Sequence, residues 1–256
     1  MTTVGEIFSV LNRWAPVNTA MSFDNPGLLV GNTSQPVDSV LISLDITAPV
    51  VEEANEKKAQ LVVSHHPVIF HPLRRLSPEE PSYLLAKYGI AAICMHTNLD
   101  MAEGGVNTCL AEAIGLCDVE GLEKDTASGL FASLIGSVKT PMEPREFAAH
   151  VKRALECGGV KFSEGCRKIS RVGLCSGAGG EFLEGAIRAG ADAFITGEVK
   201  HHEFIAAQQA GVTLIEAGHF STENPVTAAI ENKLSEAFPK VRFFCSEVMK
   251  DPAQYL

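Results

Sequence analysis

The chain has 256 residues, a formal net charge of −10 at pH 7 and a hydrophobic fraction of 46%, so it is long enough for one large or two small domains and too apolar for a disordered segment. The negative balance argues against a general nucleic-acid binder, which carries a basic footprint, and leaves open a small anionic substrate held through a metal. No apolar run is long enough to span a bilayer and no basic-then-apolar leader opens the chain; the seven cysteines, odd in number and without a Cys-x-x-Cys pair, read as reduced thiols of a cytoplasmic protein.

In chain order, Thr3 and Glu6 make a capping box for a helix whose positions Val4, Ile7, Phe8, Leu11 and Trp14 keep the helical period; Pro16 stops it and Trp14 reads as core. Phe23-Asp24-Asn25-Pro26-Gly27 reads as a turn followed by an apolar run. Strands are expected at 39–44, 59–64 and 90–95, alternating with helices at 48–58, 81–87 and 106–114, the pattern of parallel βαβ units. The pattern breaks across 121–129. A second series then sets strands at 131–138, 172–175, 193–196, 212–215 and 241–245 among helices at 142–155, 181–188, a segment ending at 210, and 225–238. Each half holds a strand leading to a His-His pair, His65-His66 and His201-His202. The expectation is an α/β fold of two similar three-layer domains with mainly parallel sheets: 1–125 with 214–256 carrying the site, and 126–213 as the second domain.

In open parallel sheets, ligands gather beyond the carboxyl ends of the strands. Three such ends carry metal-ligand side chains: Ser64-His65-His66-Pro67, His96-Thr97-Asn98-Leu99-Asp100, and Gly218-His219 with Glu223. His65 and His66 alternate in direction on an extended backbone, so they suit two ions side by side. His219 and Glu223 are four apart and face one way if helical geometry extends back to Gly218. These five residues are expected to bind two divalent ions; imidazole and carboxylate without thiolate suit zinc, iron, manganese or nickel. Glu223, His96 and His202 are the expected catalytic residues: His96 reads as a proton carrier or a hydrogen-bond partner of a ligand, and His202, with His201, as lining the facing wall of the cleft. Asp45 reads as a cleft residue or the N-cap of the next helix, Arg74 and Arg75 as anion contacts or a solvated loop, and the turn Gly177 to Gly180 as an anion cradle or a plain turn.

The segments Asp24-Asn25-Pro26-Gly27-Leu28, Ser64-His65-His66-Pro67, His96 to Asp100, Thr196-Gly197-Glu198 with His202, and Gly218-His219 with Glu223 resemble, in order, the motifs of the Nif-three-like family, whose members often carry the designation GTP cyclohydrolase 1 type 2. The resemblance implies a dinuclear metal site at His65, His66, Asp100, His219 and Glu223, two α/β domains, and a homo-oligomer in the form of a ring-shaped hexamer with sites facing an internal cavity. Some members carry a large extra domain between the halves, for which this chain has no room. The leading expectation is a metal-dependent hydrolase in which metal-activated hydroxide, positioned by Glu223, attacks a purine-type ring or amide-like bond, with a nucleotide as substrate. A two-metal phosphoesterase and a non-enzymatic metal-binding or interaction protein stand as alternatives.

Overall fold

The computed structural model describes all 256 residues. They form two compact units, Met1–Ala102 with Thr227–Lys250 and Glu103–Val226 with Asp251–Leu256. In chain order the elements are α1 (Val4–Trp14), β1 (Gly27–Val30), β2 (Ser39–Ser43), α2 (Ala48–Glu56), β3 (Leu61–Ser64), α3 (Pro81–Tyr88), β4 (Ala91–Cys94) and α4 (Thr97–Asp100). There follow α5 (Val106–Ala113), β5 (Cys117–Lys124), β6 (Phe131–Met142), α6 (Pro144–Ala154), β7 (Lys161–Ser163), β8 (Ile169–Leu174) and α7 (Leu183–Arg188). The chain ends with β9 (Ala193–Thr196), α8 (His201–Ala210), β10 (Thr213–Glu216), α9 (His219–Glu223), α10 (Pro225–Ala237) and β11 (Arg242–Cys245). No helix is long and apolar enough to cross a membrane.

The first unit holds a five-stranded sheet in the order β1-β4-β3-β2-β11, parallel except for β1, which runs antiparallel to β4. Leu41, Val62 and Ala92 pack with Val50, Val51 and Ala54 of α2 and Leu84 and Leu85 of α3. The alternate residues Val40, Ile42, Val63 and Ile93 are fully buried on the opposite face. Burial on both faces is why these strands appear in the sequence as unbroken apolar runs. Register then sets the site. Ser43, Ser64 and Cys94 stand level across β2, β3 and β4, so the residues after them emerge along one edge. Gly27 pairs with Cys94 from the opposite direction, which brings the turn before β1, including Asp24, to that same edge.

The capping box forms: the Thr3 N–H donates to Glu6 Oε2 at 2.9 Å and the Glu6 N–H to Thr3 Oγ1 at 3.3 Å. Trp14 is half-buried rather than core, with Lys233 Nζ 4.7 Å from its ring centroid.

The second unit holds a six-stranded sheet in the order β5-β6-β8-β9-β10-β7. Only β8, β9 and β10 are mutually parallel; β5, β6 and β7 pair antiparallel, so this sheet is mixed where a mainly parallel one is expected. Ile195 and Ile215 pack with Leu110, Phe147 and Val151. Their strand neighbours Phe194 and Leu214 pack with Leu183, Ala186 and Ala207. Adjacent strand residues face opposite ways, so helices cover both faces and the unit has three layers. The units divide at 102/103 and 226/227, whereas the sequence pattern places the boundaries at 125/126 and 213/214, because β5 pairs with β6 and β10 with β9. His201 and His202 open α8 instead of ending a strand, so the likeness between the halves does not extend to a second strand-end histidine pair.

Candidate metal centre

In the first unit, His65, His66 and His96 converge beyond β3 and β4, with one ring nitrogen from each lying within 4.8 Å of the others. Backbone hydrogen bonds fix the turn: the His65 N–H donates to the Ser43 carbonyl and the His66 N–H to the Leu44 carbonyl, at 3.3 and 2.9 Å. Each imidazole is held through Nδ1. His65, fully buried, has Nδ1 2.9 Å from the Met95 carbonyl oxygen. His66 has Nδ1 2.8 Å from Asp45 Oδ1, and His96 has Nδ1 2.7 Å from Asp24 Oδ1. With an acceptor at Nδ1, the proton sits there and Nε2 keeps its lone pair, the arrangement of a histidine that ligates a metal or exchanges a proton. Asp100, on the single turn of α4, adds a carboxylate oxygen 3.5 Å from His65 Nε2.

Asp24 has a fully buried side chain. Burial raises its carboxyl pKa, but donors from His96 and from the N–H and O–H of Thr97 outweigh this and lower it to about 2. Asp45 proves to be the partner of His66; the N-cap of α2 is Thr47. Burial, with Asp24 and Asp100 nearby, pushes the Cys94 thiol well above its ordinary range, so it stays protonated and donates to the His65 carbonyl. The donor set of this unit is therefore imidazole and carboxylate only.

In the second unit, the residues after β8, β9 and β10 gather in the same way. Gly218, at φ +88°, caps α9 and lets the chain turn directly into it. Helical geometry thus reaches back to Gly218 as the spacing requires, and His219 Nε2 stands 3.1 Å from Glu223 Oε1. His219 Nδ1 is 2.7 Å from Glu198 Oε1, so a carboxylate again holds the far nitrogen. Glu223 is 4% exposed, and a carboxylate so buried needs a cation or donors at its oxygens.

The Gly177 to Gly180 turn packs against this pair, and two of its amides are engaged within the protein. The Gly177 N–H donates to Thr222 Oγ1 and the Gly179 N–H to Thr196 Oγ1, at 3.1 and 2.9 Å, so these amides are already engaged. The Gly197 and Glu198 N–H groups both donate to the Gly177 carbonyl, at 2.8 and 3.0 Å. His201 and His202 are exposed on the first turn of α8 and belong to neither set of converging donors; Arg74 and Arg75 lie on an exposed loop. The Nδ1 partners Asp24 and Glu198 appear in the sequence only as members of longer motifs, because what they hold is decided by tertiary structure.

The Duf34/NIF3 (NGG1p interacting factor 3) family model matches residues 2–252. A Clostridium perfringens protein named GTP cyclohydrolase 1 type 2 homolog is 28% identical over 264 aligned residues, covering 99% of this chain and 99% of its own. NIF3-like protein 1 of Drosophila melanogaster is 31% identical, covering 94% of this chain and 85% of its own. The crystal structure of a Staphylococcus aureus hypothetical protein superposes with a TM-score of 0.93 at 28% identity, over 100% of this chain and 99% of that one. The family pattern runs almost from end to end, and the chain belongs to the Duf34/NIF3 family.

Proposed function

We propose that the protein is a metal-dependent hydrolase that binds two divalent ions through the ligand set the family resemblance implies, His65, His66, Asp100, His219 and Glu223. The observation that carries this reading is the treatment of Nδ1: four histidines have that nitrogen against a carboxylate or carbonyl oxygen. Such partners fix the tautomer and the ring orientation and raise the basicity of Nε2, which is what a divalent ion needs from imidazole. The carboxylates of Asp100 and Glu223 supply negative charge to offset two dications.

Divalent ions held there supply Lewis-acid polarisation of the attacked bond and lower the pKa of water. The protein's own groups do the rest. Asp45 and Glu198 hold His66 and His219 in one orientation. Glu223, almost wholly buried, keeps a carboxylate in a place where water screens it poorly. His96, held at Nδ1 by the ionised Asp24, takes up a proton at Nε2 and returns it.

The names of the relatives point to a nucleotide whose ring is opened by hydrolysis. The family resemblance further supports a ring-shaped homohexamer, which light scattering tests. A screen of metal-loaded protein against GTP and cyclic amides is expected to release formate or a ring-opened product. Release of inorganic phosphate alone would overturn the ring-opening reading.

A further inference from the structure

Two phenylalanines stand exposed at the rim of the histidine cluster. Phe23 is 61% and Phe70 37% exposed, and the two form one aromatic patch rather than scattered single side chains. Their ring centroids are 6.4 Å apart, and Phe70 meets His96 edge-on at 6.2 Å. His96 in turn lies 5.2 Å from His65 and 5.5 Å from His66, ring to ring. A row of rings thus leads from solvent into the ligand cluster, all within the first unit. The spacings are those of aromatic contacts.

The row is fastened at its outer end. Asn25 Nδ2 donates to the Ile69 carbonyl at 2.7 Å, tying the turn that carries Phe23 to the loop that carries Phe70. The Asn25 N–H donates to Asp24 Oδ1, the same oxygen that faces His96 Nδ1, each at 2.7 Å. The aromatic pair is therefore registered to the Asp24–His96 couple. Contact with a second copy of the chain would not need that registration; a ligand reacting at the cluster would.

We propose that Phe70, flanked by Phe23, is the platform on which the planar ring of the substrate stacks, and that this pair sets the preference for substrates with a planar heterocycle over those without one. This rests on the reading of the histidine cluster as the reaction site. A ring lying on Phe70 is delivered beside the imidazole of His96, the residue assigned to proton exchange. Stacking on an aromatic side chain tolerates many bases, because every planar heterocycle has a π-face, so the platform selects planarity more than one particular base.

The test is calorimetric titration of the metal-loaded protein with guanosine monophosphate, adenosine monophosphate and ribose 5-phosphate, repeated on Phe70→Ala, Phe70→Trp and Phe23→Ala. Both nucleotides are expected to bind about tenfold or more tightly than ribose 5-phosphate, a margin lost in Phe70→Ala, reduced in Phe23→Ala and kept in Phe70→Trp. An unchanged margin in Phe70→Ala, or none in the wild type, overturns the platform. Sedimentation of the same variants guards against the other occupant: a smaller assembly in Phe70→Ala would make the pair an interface between copies and overturn it equally. Elemental analysis separates this outcome from the wider reading. Phe70→Ala should keep the wild-type metal content, so a lost ring preference with metal retained supports the platform. A wild type that binds no metal but still prefers the nucleotides would sink the hydrolase reading and spare the stacking site.

Discussion

Gly177 stands where a Cβ would fall 2.2 Å from Glu223 Oε1 and 3.2 Å from His219 Nε2. Its φ of +59° also lies where other residues are strained. Glycine is thus demanded twice, by the backbone and by the carboxylate beside it. Gly177→Ala is expected to lower stability by about 1–2 kcal/mol, read by denaturant titration. It should also displace Glu223 and weaken metal binding, whereas Gly190→Ala, at φ +77° with open space around it, should cost stability alone.

Asp45 holds His66 through Nδ1 at 2.8 Å without belonging to the proposed ligand set. Asp45→Asn is expected to weaken metal binding by about 10–100-fold, the range for loss of such a partner, while leaving the thermal midpoint nearly unchanged. Competition against a chelator of known affinity measures it.

Asp24 is the buried counterpart for His96. In Asp24→Asn, the amide can still accept from Thr97 but presents its NH₂ toward His96, favouring the opposite tautomer. Turnover is expected to fall about a hundredfold, as for loss of a positioned proton carrier, with metal content retained. A His96→Ala, Asp24→Asn double variant should be no worse than His96→Ala alone.

Away from the site, Glu53 of α2 contributes to the acid limb of stability. Burial raises its carboxyl pKa, but hydrogen bonds from Lys57 Nζ, Ser246 Oγ and the Glu247 N–H prevail and hold it below the ordinary value of 4.5. The folded state binds this proton more weakly than the unfolded chain. Glu53 therefore contributes stability above pH 4.5, which is lost as pH falls through its lowered folded-state value. Glu53→Gln should be less stable at neutral pH and show a flatter decline as pH falls from the ordinary value of 4.5 through the lowered folded-state one, by thermal melts across that range.

Much of this was legible because buried parallel strands write themselves as apolar runs. β2, β3, β4, β9 and β10 lie where the pattern places them, within a residue or two at each end. The strands that escaped carry no such signal. β5 has no buried residue and is rich in charge, and reads as a break in the pattern. β7 has only three residues on the sheet edge, and β1 is a short run after a turn. The proposed ligands stood out as metal-binding side chains at strand ends. Their supports did not, because Asp45 lies 21 residues from His66 and Asp24 lies 72 from His96, separations that only the sheet register closes. Likewise the glycines at 177 to 180 were visible, but clearance for Glu223 is a tertiary fact that no turn composition carries.

The most direct test is metal stoichiometry by elemental analysis of the wild type, His66→Ala and Glu223→Ala, each checked for native circular dichroism. Two divalent ions per chain are predicted for the wild type, with loss of metal in both folded variants. Folded variants that keep the wild-type metal content would contradict the dinuclear site.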